Sequence, residues 1–327
     1  MNCNCVIVAG YFYTGSSAVV DLLKEYRGAV EINTEFRLIK DPYGLNDLRY
    51  NIVEHWDPLN SDNAIKDFLW LAKHLGHINT KYSLVRGLDY SNDKVFGDLF
   101  MTETLRYIES ITDYQYSGSW WFTDFKQSKI ERLKEKTLKA INHPVEHFMF
   151  FSHCTSDEFD INTTQYLENL LGLSSENKES FVILDQGFSA QNVQNLNKFF
   201  KKAKMIIVDR DPRDVYSEMI DGVGLISNQI KKTRNAELFV KWYKAYHSCE
   251  SAEPDNILHI RFEDLVSNYT ETVNLIESFL GLEQQNHISK KKYLNVDISQ
   301  NNIGKWKNIL NREEILTLME LKDYFWN

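Results

Sequence analysis

One glycine and three hydroxyl side chains, in the segment Thr14-Gly15-Ser16-Ser17, follow an apolar run near the start of the chain. The run Val6–Ala9 predicts a buried strand, and the apolar spacing over 19–23 predicts an amphipathic helix. The turn between them leaves free backbone N–H groups at the helix start, where the helix dipole favours an anion. Glycine permits close backbone approach, and the hydroxyls add uncharged donors. The segment therefore predicts a phosphate-binding loop.

This loop differs from the loop that binds nucleoside triphosphates. That pattern requires Gly, four residues, and then Gly-Lys-Ser/Thr. Gly10 and Gly15 have the required separation, but Ser16 occupies the position of the lysine. Without this lysine, a kinase is the less favoured function, because the lysine cradles the β- and γ-phosphates during phosphoryl transfer. An ordinary strand-to-helix turn is the alternative interpretation of the segment.

A second strand-to-helix junction carries an arginine. Residues Lys204–Asp209 predict a buried strand, with Asp211 as the N-cap and Pro212 as the first residue of the following helix. Arg210 then lies at the carboxyl end of a strand, which is the sheet edge where open α/β sheets bind ligands. A guanidinium group at that position can bind a phosphate through two hydrogen bonds.

Together these segments resemble those of the sulfotransferases that use 3′-phosphoadenosine 5′-phosphosulfate (PAPS). Two further segments agree with that family, Arg261-Phe262-Glu263-Asp264-Leu265 after a late strand and Gly304-Lys305-Trp306-Lys307 in a C-terminal loop. The four motifs occur in the family's order between residues 6 and 308, although the resemblance does not extend to the middle segment of the chain, at about 41–177. The chain is thus expected to be a divergent, bacterial-type member of the family.

The resemblance implies a set of residues that bind the donor PAPS and the product 3′-phosphoadenosine 5′-phosphate (PAP), without a metal. The first loop would hold the 5′-phosphosulfate, Arg210 and Ser217 the 3′-phosphate, and the C-terminal loop would close over the nucleotide. The expected nucleotide-binding residues are Tyr13, Thr14, Gly15, Ser16, Ser17, Arg210, Ser217, Lys305, Trp306 and Lys307.

Several positions depart from the family pattern. Tyr13 stands where the family usually has Lys or Arg, and Ser217 comes one residue earlier than the usual serine. Ser299-Gln300-Asn301 replaces an Arg-Lys-Gly segment, and the strand over 182–187 supplies no lysine. These departures keep open the alternative of a nucleotide-binding protein without catalytic activity.

Glu35 and Arg37 are the expected catalytic residues. The run Thr34-Glu35-Phe36-Arg37 resembles the Glu-x-Arg that follows the second strand in tyrosylprotein-type sulfotransferases, where the Glu is the base. Arg37 would then replace the cation missing at Tyr13. The alternatives are a surface ion pair between the two residues, or a histidine base from the middle of the chain. The histidine candidates are His74, His77 and His153.

The pattern of elements predicts a three-layer, P-loop-like α/β fold with a mainly parallel sheet flanked by helices. We expect one domain over 1–327, with a mostly helical insertion at about 45–178 that shapes the acceptor side. Helices are predicted at 61–75, 95–111, 126–141 and 161–173, with Leu99, Met101, Leu105 and Ile108 facing inward in the second. Trp120 and Trp121 are expected in a loop that either packs as a lid or contacts the acceptor.

Composition restricts the class of protein. The chain has 327 residues, 43% of them apolar, and a net charge of −9, which argues against a general nucleic-acid binder. No apolar run reaches the ~20 residues of a membrane span, and no secretory signal is apparent, so a cytoplasmic location is expected. Cys3, Cys5, Cys154 and Cys249 have neither metal-ligand nor disulfide-framework spacing.

The sequence narrows the acceptor only to a molecule with a hydroxyl group. A glycan, a small alcohol, a phenol and a sterol all satisfy the expected chemistry, and carbohydrate is weakly preferred. The sequence does not determine the oligomeric state.

Overall fold

The computed structural model describes residues 4–32, 35–76, 96–143, 145–173, 180–221, 228–248 and 255–326. Its strands are β1 (Cys5–Gly10), β2 (Ala29–Glu31), β3 (Tyr114–Ser117), β4 (Phe148–Phe151), β5 (Phe181–Asp185), β6 (Ala203–Asp209) and β7 (Ile257–Arg261).

Five of these strands form a parallel sheet in the order β2-β5-β1-β6-β7. Strand β1 is central, because Cys5 pairs with Val182 on one side and with Ala203 on the other. All five strands run in the same direction, so the carboxyl ends of β1, β5 and β6 meet at one edge. The remaining strands, β3 and β4, form a separate antiparallel pair.

Helices cover both faces of the sheet and form most of the chain between β2 and β5. They are α1 (Ser16–Leu23), α2 (Leu45–Arg49), α3 (Pro58–Gly76), α4 (Leu99–Ser110), α5 (Trp121–Lys126), α6 (Lys129–Ala140), α7 (Ser156–Leu171), α8 (Leu196–Phe199), α9 (Pro212–Asp221), α10 (Asn228–Thr233), α11 (Ala236–His247), α12 (Phe262–Ser267), α13 (Tyr269–Leu280), α14 (Val296–Gln300), α15 (Trp306–Ile309) and α16 (Arg312–Leu318). A π-helical turn spans Tyr50–Glu54, and 3₁₀ turns span Gln284–Asn286 and Met319–Tyr324.

The side chains of β1 alternate between two apolar clusters, one on each face of the sheet. Val6 and Val8 pack with residues of α1, α12 and α13. Ile7 and Ala9 pack on the opposite face with residues of α3, α4 and α7. This alternation follows from the period of two residues in a strand, and it requires β1 to be apolar on both sides. The structure confirms the expected α/β fold class, with helices on both faces of a parallel sheet.

Helix α4 corresponds to the helix expected at 95–111, of which Val95 lies outside the described residues, but its buried face differs from the prediction. Ile108 is buried and Met101 is half-buried against the core, as predicted, whereas Leu99 and Leu105 are exposed rather than inward-facing. The buried face is formed by residues such as Thr104 and Tyr107, because their hydroxyls hydrogen-bond to residues of α7. Polar contacts between the two helices therefore decide which face of α4 is buried.

The expected loop at Trp120 and Trp121 is also different. Trp121 is the first residue of α5 rather than part of a loop, and its ring is exposed. The helices expected at 61–75, 126–141 and 161–173 correspond to α3, α6 and α7. None of the helices in the described parts of the chain is long and apolar enough to cross a membrane.

Candidate functional site

The loop between β1 and α1 has an unusual backbone. Phe12 and Tyr13 both have positive φ angles, 65° and 54°, and Gly15 has a φ of 81° as the N-cap of α1. No side chain caps this helix start. Its first N–H groups therefore remain for an anion, as the sequence predicts for a phosphate-binding loop. Thr14 stabilises the turn by accepting a 3.2 Å hydrogen bond from the backbone N–H of Tyr11.

Gly15 lies against the ring of Phe262, the first residue of α12. A Cβ atom at position 15 would lie 2.5 Å from the Cδ2 atom of Phe262. Both the positive φ and this contact require glycine. The Arg-Phe-Glu-Asp segment thus supports the loop through packing, although the two segments are distant in the sequence.

Arg210 follows β6 and is almost completely buried. Its guanidinium donates to the backbone oxygen of Tyr13 at 2.9 Å and to that of Asn302 at 2.6 Å, and it stacks on Phe262 at 5.1 Å. Its Nε atom is buried without a hydrogen-bond partner among the described residues. Because leaving a buried charged donor unpaired is costly, this atom marks a position for an anionic acceptor.

The loop and Arg210 line a cavity of about 1020 Å³ at the carboxyl edge of the sheet. Most of the residues expected from the sequence lie around this cavity: Tyr13, Thr14, Gly15, Ser16, Ser17, Glu35, Arg37 and Arg210. The lining also includes Phe12, Lys40, Asp41, Gln186, Ser189, Gln191, Tyr246 and Asn302.

Glu35 and Arg37 form an ion pair at the wall of this cavity. The Nη1 atom of Arg37 lies 2.8 Å from Glu35, and its Nε atom lies 2.6 Å from Asp41. Arg37 therefore contacts two carboxylates. The ion pair between Glu35 and Arg37 that was the alternative to a catalytic role is therefore present, but both residues line the cavity. Thr34 lies outside the described residues.

Lys40 is a cavity residue that the sequence analysis did not identify. Its Nζ atom donates to the Oε1 atom of Gln186 at 2.8 Å, and the Nε2 atom of Gln186 donates to the hydroxyl of Ser16 at 3.0 Å. Burial, followed by the nearby Arg37 charge, lowers the pKa of Lys40. No carboxylate of the described residues forms an ion pair with it. Lys40 is thus a cation held by a neutral amide that also contacts Ser16, in the first turn of α1.

Asp185, the last residue of β5, has a buried Oδ1 atom without a hydrogen-bond partner among the described residues. Burial and the nearby Glu35 charge raise the pKa of its carboxyl to about 6, while Lys40 opposes this shift. The residue after it, Gln186, has a positive φ of 55°. Of these two neighbouring residues, Gln186 lines the cavity, whereas the Oδ1 atom of Asp185, the residue before it in the sequence, is buried.

The remaining nucleotide-binding candidates do not line the cavity. Ser217 is buried and donates to the backbone oxygen of Arg213 at 2.8 Å. Lys305 lies 3.4 Å from Glu218, a residue that does line the cavity. Trp306 stacks on Arg213 at 4.4 Å, and Lys307 lies 5.8 Å from the Trp306 ring. Their roles toward a nucleotide stay predictions.

Asp214 holds the C-terminal loop against α9. Its carboxylate accepts hydrogen bonds from the backbone N–H groups of Gly304 at 2.7 Å and Trp306 at 3.0 Å. Burial raises the pKa of Asp214, and the two hydrogen bonds oppose the shift. The N-cap expected at Asp211 is also present, because its carboxylate accepts from the backbone N–H of Arg213 at 2.9 Å.

Of the alternative histidine bases, His74 and His153 do not line this cavity. His74 contacts the backbone oxygen of Trp70, and His153 packs on Trp56. His77 lies outside the described residues. Among the residues that the structure describes, no three His, Cys, Asp or Glu side chains form a group that could hold a metal ion.

A family model described as "Sulfotransferase family" matches residues 101–286. The chain is similar in structure to the sulfotransferase domain of the Synechococcus PCC 7002 olefin synthase, with 12% identity, coverage of 98% of this chain and 94% of that one, and a TM-score of 0.40. It is also similar to the sulfotransferase STF9 of Mycobacterium avium, with 13% identity, coverage of 99% and 77%, and a TM-score of 0.39. No curated protein matches the sequence.

Proposed function

Since this chain belongs to the sulfotransferase family, we propose that it transfers the sulfuryl group of PAPS to a hydroxyl group of an acceptor. Transfer of sulfuryl groups is the activity of the family. The main support for the proposal is that the predicted phosphate-binding loop, Arg210 and the pair of Glu35 and Arg37 all line the same cavity.

The residues around the loop have the chemistry that a phosphorylated nucleotide requires. Residues 13–17 would hold the 5′-phosphosulfate at the uncapped start of α1. Arg210 would bind the 3′-phosphate, which supplies the acceptor that its buried Nε atom lacks. When bound, the donor would provide a sulfuryl group attached to its 5′-phosphate, and that phosphate would remain part of the product PAP.

Glu35 is proposed as the general base. Its carboxylate would take the proton from the acceptor hydroxyl as the acceptor oxygen forms its bond to sulfur, and the bond between sulfur and the phosphate oxygen breaks with its electrons on the phosphate. Arg37 holds Glu35 through the 2.8 Å contact, which fixes the direction of the carboxylate. Glu35 therefore lies at the cavity wall with a fixed orientation, as a base requires.

Lys40 is the better candidate for the cation that replaces the one missing at Tyr13. Arg37 shares its charge between Glu35 and Asp41, whereas the partner of Lys40 is a neutral amide bound to Ser16 of the loop. A cation is worth most in catalysis when it is held in place and is not already neutralised by a carboxylate. Lys40 would thus stabilise the charge that develops on the transferred group.

The acceptor is proposed to be polar, with carbohydrate preferred over a small apolar alcohol. The cavity offers hydroxyl and amide groups at Ser189 and Gln191, together with the rings of Phe12 and Tyr246. Polar groups beside aromatic faces suit a molecule that combines hydroxyl groups with an apolar face.

A nucleotide-binding protein without activity is the second candidate function. Tyr13 supplies no cation, and its backbone oxygen accepts from Arg210. A protein of this kind would bind PAP through the same loop and would not turn over PAPS.

Calorimetry with PAP and with ATP·Mg²⁺ tests the nucleotide proposal. Arg210→Ala removes a charge-assisted phosphate contact, so PAP affinity should fall by about ten- to a hundredfold, corresponding to roughly 1.5–3 kcal/mol. Arg106→Ala is the control, because Arg106 is exposed on α4 and pairs with Glu103. Preference for ATP·Mg²⁺, or unchanged PAP affinity in Arg210→Ala, contradicts the proposal. A sulfuryl-transfer assay with glycan, phenol and sterol acceptors then distinguishes an enzyme from a binding protein.

A further inference from the structure

Helix α6 lies at the surface, with Glu135 and Leu138 half-buried and its other residues exposed. None of its 12 residues is buried, and a capping box between Ser128 and Glu131 stabilises its start. An isolated helix of this length is marginal in water, so an exposed one needs either good caps or a surface to pack on. The capping box fixes where α6 begins, and its composition indicates the surface that it fits.

One face of α6 is mostly apolar, although Lys134, four residues after Ile130, lies on the same face. Ile130 is 79% exposed, Leu133 is 66% exposed, and Ile141 at the end of the helix is 59% exposed. The spacing of three residues and then eight places the three side chains on one stripe along the axis. Such a stripe on a polar helix is typical of a surface that meets an apolar partner.

The rest of α6 is strongly basic. Its sequence contains five basic and two acidic residues, although the whole chain has a net charge of −9. Glu131 takes part in the capping box, and Glu135 contacts Gln127 and His147. Within the described parts of the chain, four lysines of the helix form no ion pair: Lys129, Lys134, Lys136 and Lys139. Their charges are therefore available to an anionic partner.

From this stripe and these charges we infer that α6 binds peripherally to an anionic lipid surface, with its axis parallel to the membrane. A lipid bilayer offers an apolar layer for Ile130, Leu133 and Ile141 directly below anionic headgroups for the lysines. A nucleic acid would satisfy the lysines but would leave the apolar stripe in water. A second copy of the chain would bring the like-charged lysines of two helices together.

The exposed aromatic residues of α5 support the same inference. Trp121 and Phe125 are both exposed, and their rings contact each other at 5.0 Å. Tryptophan is enriched at the membrane–water interface, where its ring occupies the headgroup level. These exposed rings lie only a few residues before the start of α6 in the chain.

Vesicle sedimentation with the full-length protein tests the inference. Vesicles of phosphatidylcholine with phosphatidylglycerol should bind the protein, and vesicles of phosphatidylcholine alone should bind it at least about tenfold more weakly. Leu133→Glu and the double variant Lys136→Glu/Lys139→Glu should each lower the binding to anionic vesicles by about tenfold or more, with unchanged melting temperatures.

Two matched variants control for changes in charge and exposed area. Leu316, on α16, is 62% exposed, so Leu316→Glu makes the same exchange away from α6 and should leave vesicle binding unchanged. Lys201→Glu/Lys202→Glu matches the double charge reversal on another exposed turn. The inference is overturned by equal binding to neutral and anionic vesicles, or by equal losses in the control variants. A concentration-dependent dimer that Leu133→Glu abolishes would assign the stripe to self-association instead.

Discussion

Arg37 and Lys40 lie three residues apart and carry the same charge, but they differ in what surrounds that charge. Arg37 lies between the carboxylates of Glu35 and Asp41. The side chain that hydrogen-bonds to Lys40 is instead the neutral amide of Gln186. The first arrangement fixes a carboxylate, and the second leaves a positive charge beside the phosphate loop. The two cations therefore suit different parts of the reaction.

Lys40→Met tests the role of Lys40. It keeps much of the side-chain volume but removes the charge, so turnover should fall by roughly 10²–10³ while PAP affinity changes little. Lys40→Arg should recover part of the lost rate. Lys244→Met serves as the control, because Lys244 is exposed and pairs with Glu320. Steady-state kinetics with calorimetry would separate the two effects, and equal losses in turnover and affinity would assign Lys40 to nucleotide binding.

Glu35→Gln tests the proposed base. The amide keeps the shape and hydrogen-bonding capacity of the carboxylate but takes no proton, so turnover should fall by roughly 10²–10⁴ with nucleotide affinity nearly unchanged. Asp41→Asn is the matched control, since it changes the other carboxylate that binds Arg37. Initial rates over a pH series provide the measurement. A near-normal rate for Glu35→Gln would exclude Glu35 as the base.

At the scale of the elements, one carboxylate binds two backbone groups of the C-terminal loop. Asp214 accepts two backbone hydrogen bonds from that loop, and Arg210 donates to Asn302 just before it. Helix α9, which carries Asp214, begins directly after Arg210. The element that would bind a phosphate therefore also holds the segment that the family resemblance expects to cover the nucleotide.

Asp214→Ala should release this loop. Amide hydrogen exchange at Gly304 and Trp306 should become at least about tenfold faster, because each loses its acceptor. PAP should slow this exchange in the wild type if the loop closes over the nucleotide. Asp297→Ala, on the neighbouring α14, should leave the exchange unchanged. Equal exchange rates in the wild type and Asp214→Ala would mean that other contacts hold the loop.

The sequence predicts local features of these elements well. The apolar run of β1, the glycine turn and the N-cap at Asp211 depend on neighbouring residues, and the structure contains all three. The inward face of α4 and the approach of Lys40 to Gln186 depend on distant segments instead. Gln186 lines the cavity and has a positive φ angle. The sequence has no glycine at this position, so it does not predict that angle. These features therefore could not be predicted from the sequence without the tertiary structure.

At the scale of the whole molecule, buried carboxyls connect pH to stability. Burial and the nearby Glu35 charge raise the pKa of Asp185 from 3.8 to about 6. Between these values the folded state binds more protons than the unfolded state, so the free energy of unfolding falls as the pH rises. The stability cost of ionising Asp185 is absent below pH 3.8 and complete above about pH 6.

Asp185→Asn should remove this part of the pH dependence. The variant should gain stability relative to the wild type as the pH rises from 4.5 to 7, by on the order of 2 kcal/mol. Urea unfolding at both pH values measures the difference. Burial raises the pKa of Glu263 to about 7. Its effect on the pH dependence of stability is the same in both proteins and therefore cancels in the comparison. Parallel pH dependences would show that Asp185 does not titrate in this range.

The central position of β1 has a consequence for synthesis of the protein. Its partners on both sides are β5 and β6, and both follow β1 only after a long stretch of chain. During translation, its apolar residues emerge long before either partner exists, since β5 begins only at Phe181. An apolar strand whose two edges are both unpaired is prone to aggregation until its partner strands have been synthesised. The nascent chain is therefore expected to need a chaperone that shields residues 5–10 until β6 has left the ribosome.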